Sequence, residues 1–255
     1  MKKLIFSILL LASTLLQASD IYVKPGESIA DAIRQARELR RLNDPSIEGG
    51  ITIHVAAGNY RIYEPLFLRP EDSGTPSSPT IIKGEGEVIV SGGVTVTGWK
   101  RQGKLMVADV PDFCGRPLDF RQFYVNGKKA VRARDIADFE DMYRIIRVDK
   151  QKRVLWVPAA AVRKIQKAPY AEMVLHEMWC VANLRIKDIM FAGDSAAVSF
   201  HDPESRIQFE HPWPCPMVTT DGHNSAFYLT NARELLDVPG EWYHDIRAGK
   251  LYYYP

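Results

Sequence analysis

The feature that most constrains this chain is a change of texture at Gly50: one good amphipathic helix precedes it, and a ladder of short strands follows. In the helix, predicted over Ser28–Leu42, Ile29, Ile33, Ala36 and Leu39 fall on one face at three- and four-residue steps. Ser28 can cap the first turn, and Asp31 three residues later suits the positive end of the helix dipole. Asn43, Asp44 and Pro45 end it. Beyond Gly50, Ile51, Ile53 and Val55 alternate with Thr52 and His54. Further short apolar runs follow at Leu66/Leu68, Ile81/Ile82, Val88/Val90 and Val94/Val96. Between them lie the turn signals Gly58-Asn59, Gly74-Thr75-Pro76, Gly84-Glu85-Gly86 and Gly92-Gly93. Short strands at uneven spacing suit either a β-sandwich or the coils of a β-helix. The order of elements favours the β-helix. An open β-helix end exposes core and unpaired edge groups, and a helix with one apolar stripe can cover them.

From about Phe113 the pattern becomes antiparallel. Asn126-Gly127 sits between Phe120–Val125 and Lys128–Ala133, and Asn-Gly is a strong hairpin signal because both turn positions favour positive φ. Arg144–Val148 with Arg153–Val157 reads as a second hairpin, and Glu241–Asp245 with Lys250–Tyr254 as a last one. Glu172–Trp179, Leu184–Ile189, Ala197–Phe200 and Ala226–Leu229 are further strands.

The N-terminus reads as an export signal. Lys2 and Lys3 precede an apolar run, Leu4–Leu16, that is shorter than the roughly 20 residues a bilayer span needs. Cleavage after Ala18 or Ser19 follows from the small residues there. The product is expected to be secreted or periplasmic, with no membrane span after cleavage. The formal charge is +2, and the two leader lysines account for it. That balance argues against nucleic acid as a partner, which needs a clustered basic surface. The mixed-sign run Arg34–Arg41 reads as a solvated helix face. Cys114, Cys180 and Cys215 allow one disulfide in three alternative pairings, or buried free thiols, and their spacing carries no metal signature. No metal or cofactor is expected.

The strings IYVKPGESIADAI, ITIHVAAGNY and IIKGEGEVIVSGG resemble the opening coils of pectin-lyase-like right-handed parallel β-helix proteins. The segments Phe120–Arg134, Glu172–Trp179 and Asn231–Pro255 resemble the N-terminal half of glycoside hydrolase family 141, in which a β-rich insertion interrupts the first coils. The resemblance implies an all-β fold: the start of a parallel β-helix with an N-terminal capping helix and an inserted antiparallel β-domain. The expected divisions are a leader at 1–18, helix and first coils at 19–112, the insertion at 113–230, and a return to the β-helix at 231–255. The family's enzymes cleave polysaccharides, with fucose-removing and xylan-cleaving members. Family members continue for hundreds of residues past the point equivalent to Pro255. The catalytic carboxylates are expected on those later coils, so no catalytic residue carries over. The chain is therefore expected to be the front portion of an exported polysaccharide-degrading enzyme, without turnover by itself. The alternative is a non-catalytic carbohydrate-binding or adhesive β-module. The partner in either case is a polysaccharide or oligosaccharide.

The residues themselves give three candidates for sugar contact: His176, Trp179 and Trp213. Aromatic faces complement the apolar faces of sugar rings; packing in the sheet for His176 and Trp179, and burial under its loop for Trp213, are the alternatives. Trp213 lies in His211-Pro-Trp-Pro-Cys-Pro216, where three prolines stiffen the backbone and lower the entropic cost of binding. Glu241 and Asp245 do not form a catalytic pair, since four residues along a strand span roughly 13 Å. Glu241 is expected to bond backbone in the turn after Pro239-Gly240. His176-Glu177 lacks a second His at position 180 and is not a zinc motif. Gly84 and Gly86 lack the Lys-Ser/Thr and the helix of a phosphate loop.

Overall fold

The computed structural model describes residues 18–113 and 115–255. The expected leader, apart from Ala18, and Cys114 lie outside those residues. The chain divides into two compact units, Met1–Val94 and Thr95–Pro255.

In the first unit, β1 (Ser19–Val23), α1 (Ile29–Arg41), β2 (Ile51–Arg61) and β3 (Thr80–Ser91) follow one another, and the three strands pair parallel in the order β1-β2-β3. Parallel pairing requires a crossover, and α1 supplies it between β1 and β2. The Ser28 Oγ accepts the Asp31 N–H at 3.1 Å, as an N-cap should. At the other end Asn43 turns left-handed (φ +50°). The Asn43 N–H reaches the Arg40 carbonyl and the Asp44 N–H reaches that of Leu39. These two bonds satisfy carbonyls that the last turn leaves orphaned. Ile29, Ala32, Ile33 and Ala36 are buried against Ile21, Val23, Ile51, Ile53 and Val55.

Two loops expected as strands are not strands. Leu66 and Leu68 sit in a segment clamped to α1, where Arg37 binds both carboxylate oxygens of Asp72 at 2.7 and 2.8 Å and the Phe67 carbonyl at 3.0 Å. Val94 and Val96 are also outside any strand. Conversely, Gly84-Glu85-Gly86 and Gly58-Asn59 are not turns. They lie inside β3 and β2, where the register slips between Ala56/Glu85 and Gly58/Val88. A glycine inside a strand often marks a bulge rather than its end. Gly58 has φ +149°, and a Cβ there would come within 2.6 Å of the Pro25 ring.

The outward face of this sheet carries a charged cluster. His54 bonds Glu85 through Nδ1 at 2.8 Å and Asp20 through Nε2 at 3.0 Å, with Tyr22 stacked 5.0 Å away. The hydrogen bond to Glu85, then that to Asp20, raises the imidazole above its usual 6.5. A raised folded-state pKa contributes stability that is fully present below the unfolded value and lost as pH rises through the folded one. The His54 ring protons are therefore expected to titrate above 6.5 by NMR, with the first unit weakening as pH climbs through that midpoint. A midpoint at or below 6.5, or an unchanged pH profile in His54→Gln, would refute this.

The second unit opens with a hairpin, β4 (Lys100–Gln102) and β5 (Leu105–Asp109). Two short hairpins come next: β6 (Asp112–Phe113) with β7 (Arg116–Pro117), and β8 (Tyr124–Val125) with β9 (Lys128–Lys129). In the second, Asn126 and Gly127 both take positive φ, +50° and +75°. Then come β10 (Val131–Arg132), β11 (Tyr143–Arg144), β12 (Arg147–Asp149), β13 (Val154–Pro158) and the short α2 (Ala159–Val162). The chain continues through β14 (Glu172–Glu177), β15 (Cys180–Ala192), β16 (Ser195–Phe200), α3 (Glu204–Glu210), β17 (Ala226–Thr230), β18 (Glu241–Asp245) and β19 (Lys250–Tyr253).

A seven-stranded antiparallel sheet runs β11-β17-β14-β15-β16-β13-β12. Alternation buries Met173 and Leu175 of β14, Leu155 and Val157 of β13, and Phe227 and Leu229 of β17 in one core, which also takes in Ile145 and Ile165. A five-stranded sheet runs β10-β18-β19-β5-β4, parallel only between β10 and β18. Segment 231–255 was expected to return to the β-helix. Its strands pair with β5 and β10, and the two compact units divide after Val94. The strand count outweighs the helices throughout, so the chain is all-β in class. No helix among the described residues is long and apolar enough to cross a membrane.

Candidate functional site

Trp179 stands at the tip of the β14–β15 hairpin, where Glu177 pairs with Cys180 and Met178-Trp179 form the turn. It is 84% exposed, and Met178 and Val181 beside it are exposed too. Trp179 holds φ +69°. A bulky residue in the left-handed region is uncommon and costs conformational energy, and such positions gather at functional sites. The base of the turn is braced. Gln208 of α3 and the Cys180 thiol each bond the Glu177 carboxylate, the latter at 3.1 Å. Burial raises the Glu177 carboxyl. Burial and then the bond to Glu177 push the Cys180 thiol up to about 11, so it stays protonated at neutral pH and is no nucleophile. Cys180 and Cys215 are free thiols.

Trp213 is 52% exposed, in the proline-rich loop after α3. His176 is different. Its ring is half-buried between Phe139 at 5.4 Å and Tyr228 at 6.1 Å, and its Nε2 has no hydrogen-bond partner. Burial, and then the Arg144 charge, lower its pKa, so it packs as a neutral ring. Among the described residues, no ring contact joins His176, Trp179 and Trp213.

The buried carboxylates of the second unit are committed elsewhere. Glu241 accepts the backbone N–H groups of Arg134 at 3.3 Å, Asp237 at 3.3 Å and Val238 at 3.2 Å. Three backbone bonds fix the turn before β18, which is a structural duty. Glu172 accepts Arg121 at 2.6 Å and Arg132 at 2.9 Å. No group of three or more His, Cys, Asp or Glu able to hold a metal occurs among the described residues.

Glu172 lies beside a cleft that the residue-by-residue reading did not single out. Arg121, Lys129, Arg132, Arg134, Asn183 and Tyr228 line a space of about 330 Å³. Arg132 and Arg134 are two apart in an extended segment, so they share a face. The Arg132 side chain is 10% exposed. It lies over Trp242 at 5.5 Å, and its Nε reaches the buried Asn231 side chain at 3.3 Å. Burial, and the neighbouring Arg121, lower its pKa against the opposing pull of Glu172. Arg134 lies 5.9 Å over the Tyr228 ring. The signal was present as the alternation in Ala130-Val-Arg-Ala-Arg134, but Glu172, 40 residues on, is invisible to local spacing.

A family model described as the GH141 insertion domain matches residues 103–255. A solved structure titled "Glycoside hydrolase" superposes with a TM-score of 0.81 at 61% identity, covering 93% of this chain. This chain spans 43% of the length of that structure. No curated protein matches.

Proposed function

This chain belongs to glycoside hydrolase family 141, and from that membership we propose that it is the front portion of an exported enzyme that degrades a complex polysaccharide. In this reading the insertion domain holds sugar and the acid–base pair lies outside this chain. The observation that carries the sugar-holding role is Trp179, a large aromatic kept 84% exposed in a costly turn conformation. Exposure of that size is unrewarded by packing, and a sugar ring lying on the indole would repay it. Trp213 is a second platform of the same kind. His176, neutral and packed between two rings, is left as a support for the sheet.

The commitment of Glu172 and Glu241 to cations and backbone supports the absence of turnover by the chain alone. The start of a parallel β-helix is supported by the parallel pairing in the order β1-β2-β3. The outer strand β3 leaves Ile81, Ile82, Ile89 and Val90 exposed at a free edge, the position a next coil would cover. Secretion or periplasmic delivery is proposed from the leader-like residues 1–18, with cleavage after Ala18 or Ser19. Fucose removal and xylan cleavage are the two activities proposed for the whole enzyme.

A panel of neutral and acidic oligosaccharides tests this on the purified chain. Trp179→Ala is expected to weaken the strongest binding about tenfold, equivalent to about 1.4 kcal/mol. The unfolding midpoint should not move. Unchanged binding would remove Trp179 from the site. Release of reducing sugar by the chain alone would overturn the division of labour. The Trp179 platform serves equally the alternative of a non-catalytic adhesive module, for which the whole protein would show binding and no hydrolysis.

A further inference from the structure

We infer that the cleft lined by Arg121, Lys129, Arg132 and Arg134 is a receptor for the anionic group of an acidic sugar, a ring carboxylate or a sulfate ester. The inference rests on the polysaccharide reading and adds the charge of the substrate. The first argument is charge balance. Four cations converge on the cleft, and one buried carboxylate, Glu172, is shared by two of them. Lys129 and the Arg134 guanidinium have no carboxylate partner among the described residues. Asp119 acts on Arg132, Glu241 takes the Arg134 backbone N–H at 3.3 Å and Asp135 takes that of Leu229 at 2.8 Å, and none of these carboxylates lines the cleft. The lining itself carries four cations and no carboxylate, in a chain whose overall charge is close to balanced.

The second argument is donor geometry. Arg121 spends its Nη2 on Glu172 and, at 2.9 Å, on Asn183. Its Nε and Nη1, and the Nη2 of Arg132, have no acceptor among the described residues. Glu172, Asn231 and the Trp242 ring fix the plane of the Arg132 guanidinium, so its unused donor is held in place, and the half-exposed Arg121 supplies further donors from the rim. A planar fork with unused donors is matched by a carboxylate or sulfate, which accepts two bonds at once. The third argument is size. A space of about 330 Å³ is at the small end for ligand sites and suits one sugar ring with its substituent. Tyr228 supplies an aromatic surface for the ring beside Arg134.

The test is calorimetry on the whole chain with galacturonic acid oligomers, galactose oligomers of the same length, and sulfated galactose oligomers. Lys129→Gln, Arg134→Gln and Arg134→Lys are the variants, because neither side chain carries a buried ion pair. Acidic or sulfated oligomers are expected to bind at least tenfold more tightly than neutral ones. The preference should fall with added salt, be lost in the glutamine variants at unchanged unfolding midpoint, and persist largely in Arg134→Lys. Tighter binding of the sulfated oligomer alone supports the receptor and assigns the sulfate ester. Equal binding of neutral and acidic oligomers overturns the inference and leaves the polysaccharide reading standing. Binding of none overturns both.

Discussion

Replacing Glu172 with alanine is expected to destabilise the second unit by about 3–5 kcal/mol, the usual cost of leaving a buried charge without its partner. The Glu172 side chain is 5% exposed, and it is the carboxylate that Arg132, itself 10% exposed, pairs with. Arg121 is nearly half exposed and can turn to water, so its loss is small by comparison. The cost therefore falls on Arg132, whose unpaired guanidinium stays between Trp242 and Asn231. Glu172→Gln keeps an acceptor and loses the charge, so it should fall between the alanine variant and the parent. Urea unfolding followed by fluorescence measures this. A shift under about 1 kcal/mol in the alanine variant would mean that Arg132 reaches solvent readily, and the cleft would lose its fixed donor.

Trp242→Ala is the second large effect, at about 3–5 kcal/mol. Trp242 is fully buried, stacked on Phe120 at 5.2 Å, edged by Phe123 at 6.0 Å, and covered by Arg132. Trp242→Phe should cost much less. It keeps most of the ring volume and removes an indole N–H that has no acceptor. If the phenylalanine variant were as unstable as the alanine one, the site would require the full outline of the indole rather than apolar ring volume alone. Because Arg132 touches both sites, the Glu172→Ala and Trp242→Ala costs should not add. A double-mutant cycle is expected to return a coupling above about 0.5 kcal/mol.

The elements legible in the sequence were those fixed by neighbours. The Ser28 cap, the Asn43 stop and the Asn126-Gly127 turn each depend on a few consecutive residues, and the structure has all three. The misread elements depended on distant partners. Gly58 and the Gly84–Gly86 stretch carry turn residues, yet two long parallel strands pass through them because a bulge absorbs the glycine conformation. Leu66 and Leu68 carry a strand pattern, yet Arg37 and Asp72 hold that segment as a loop against α1. The partner of the last strand was illegible for the same reason, since nothing local to Lys250–Tyr253 says that β5 is its neighbour. Of the candidate residues, Trp213 was placed on a stiff loop by its prolines, whereas Trp179 was expected to end a strand and stands in the turn after Glu177. The packing of His176 was not legible in its partners, because Phe139 and Tyr228 reach it from distant segments.

The pairing of β5 with β19 also sets a timetable. Asp109 lies opposite Lys250, 141 residues later in the chain. At about 5–20 residues per second, a ribosome needs roughly 7–30 s to supply that partner. Throughout that interval β4 and β5 are a lone hairpin, marginal in water, with one strand edge open to any other unpaired segment. The five-stranded sheet is thus completed only after the hairpins of the larger sheet have had time to form locally. A nascent chain halted before Lys250 would carry an intact-looking interior beside an open edge, the form most prone to pair with its neighbours.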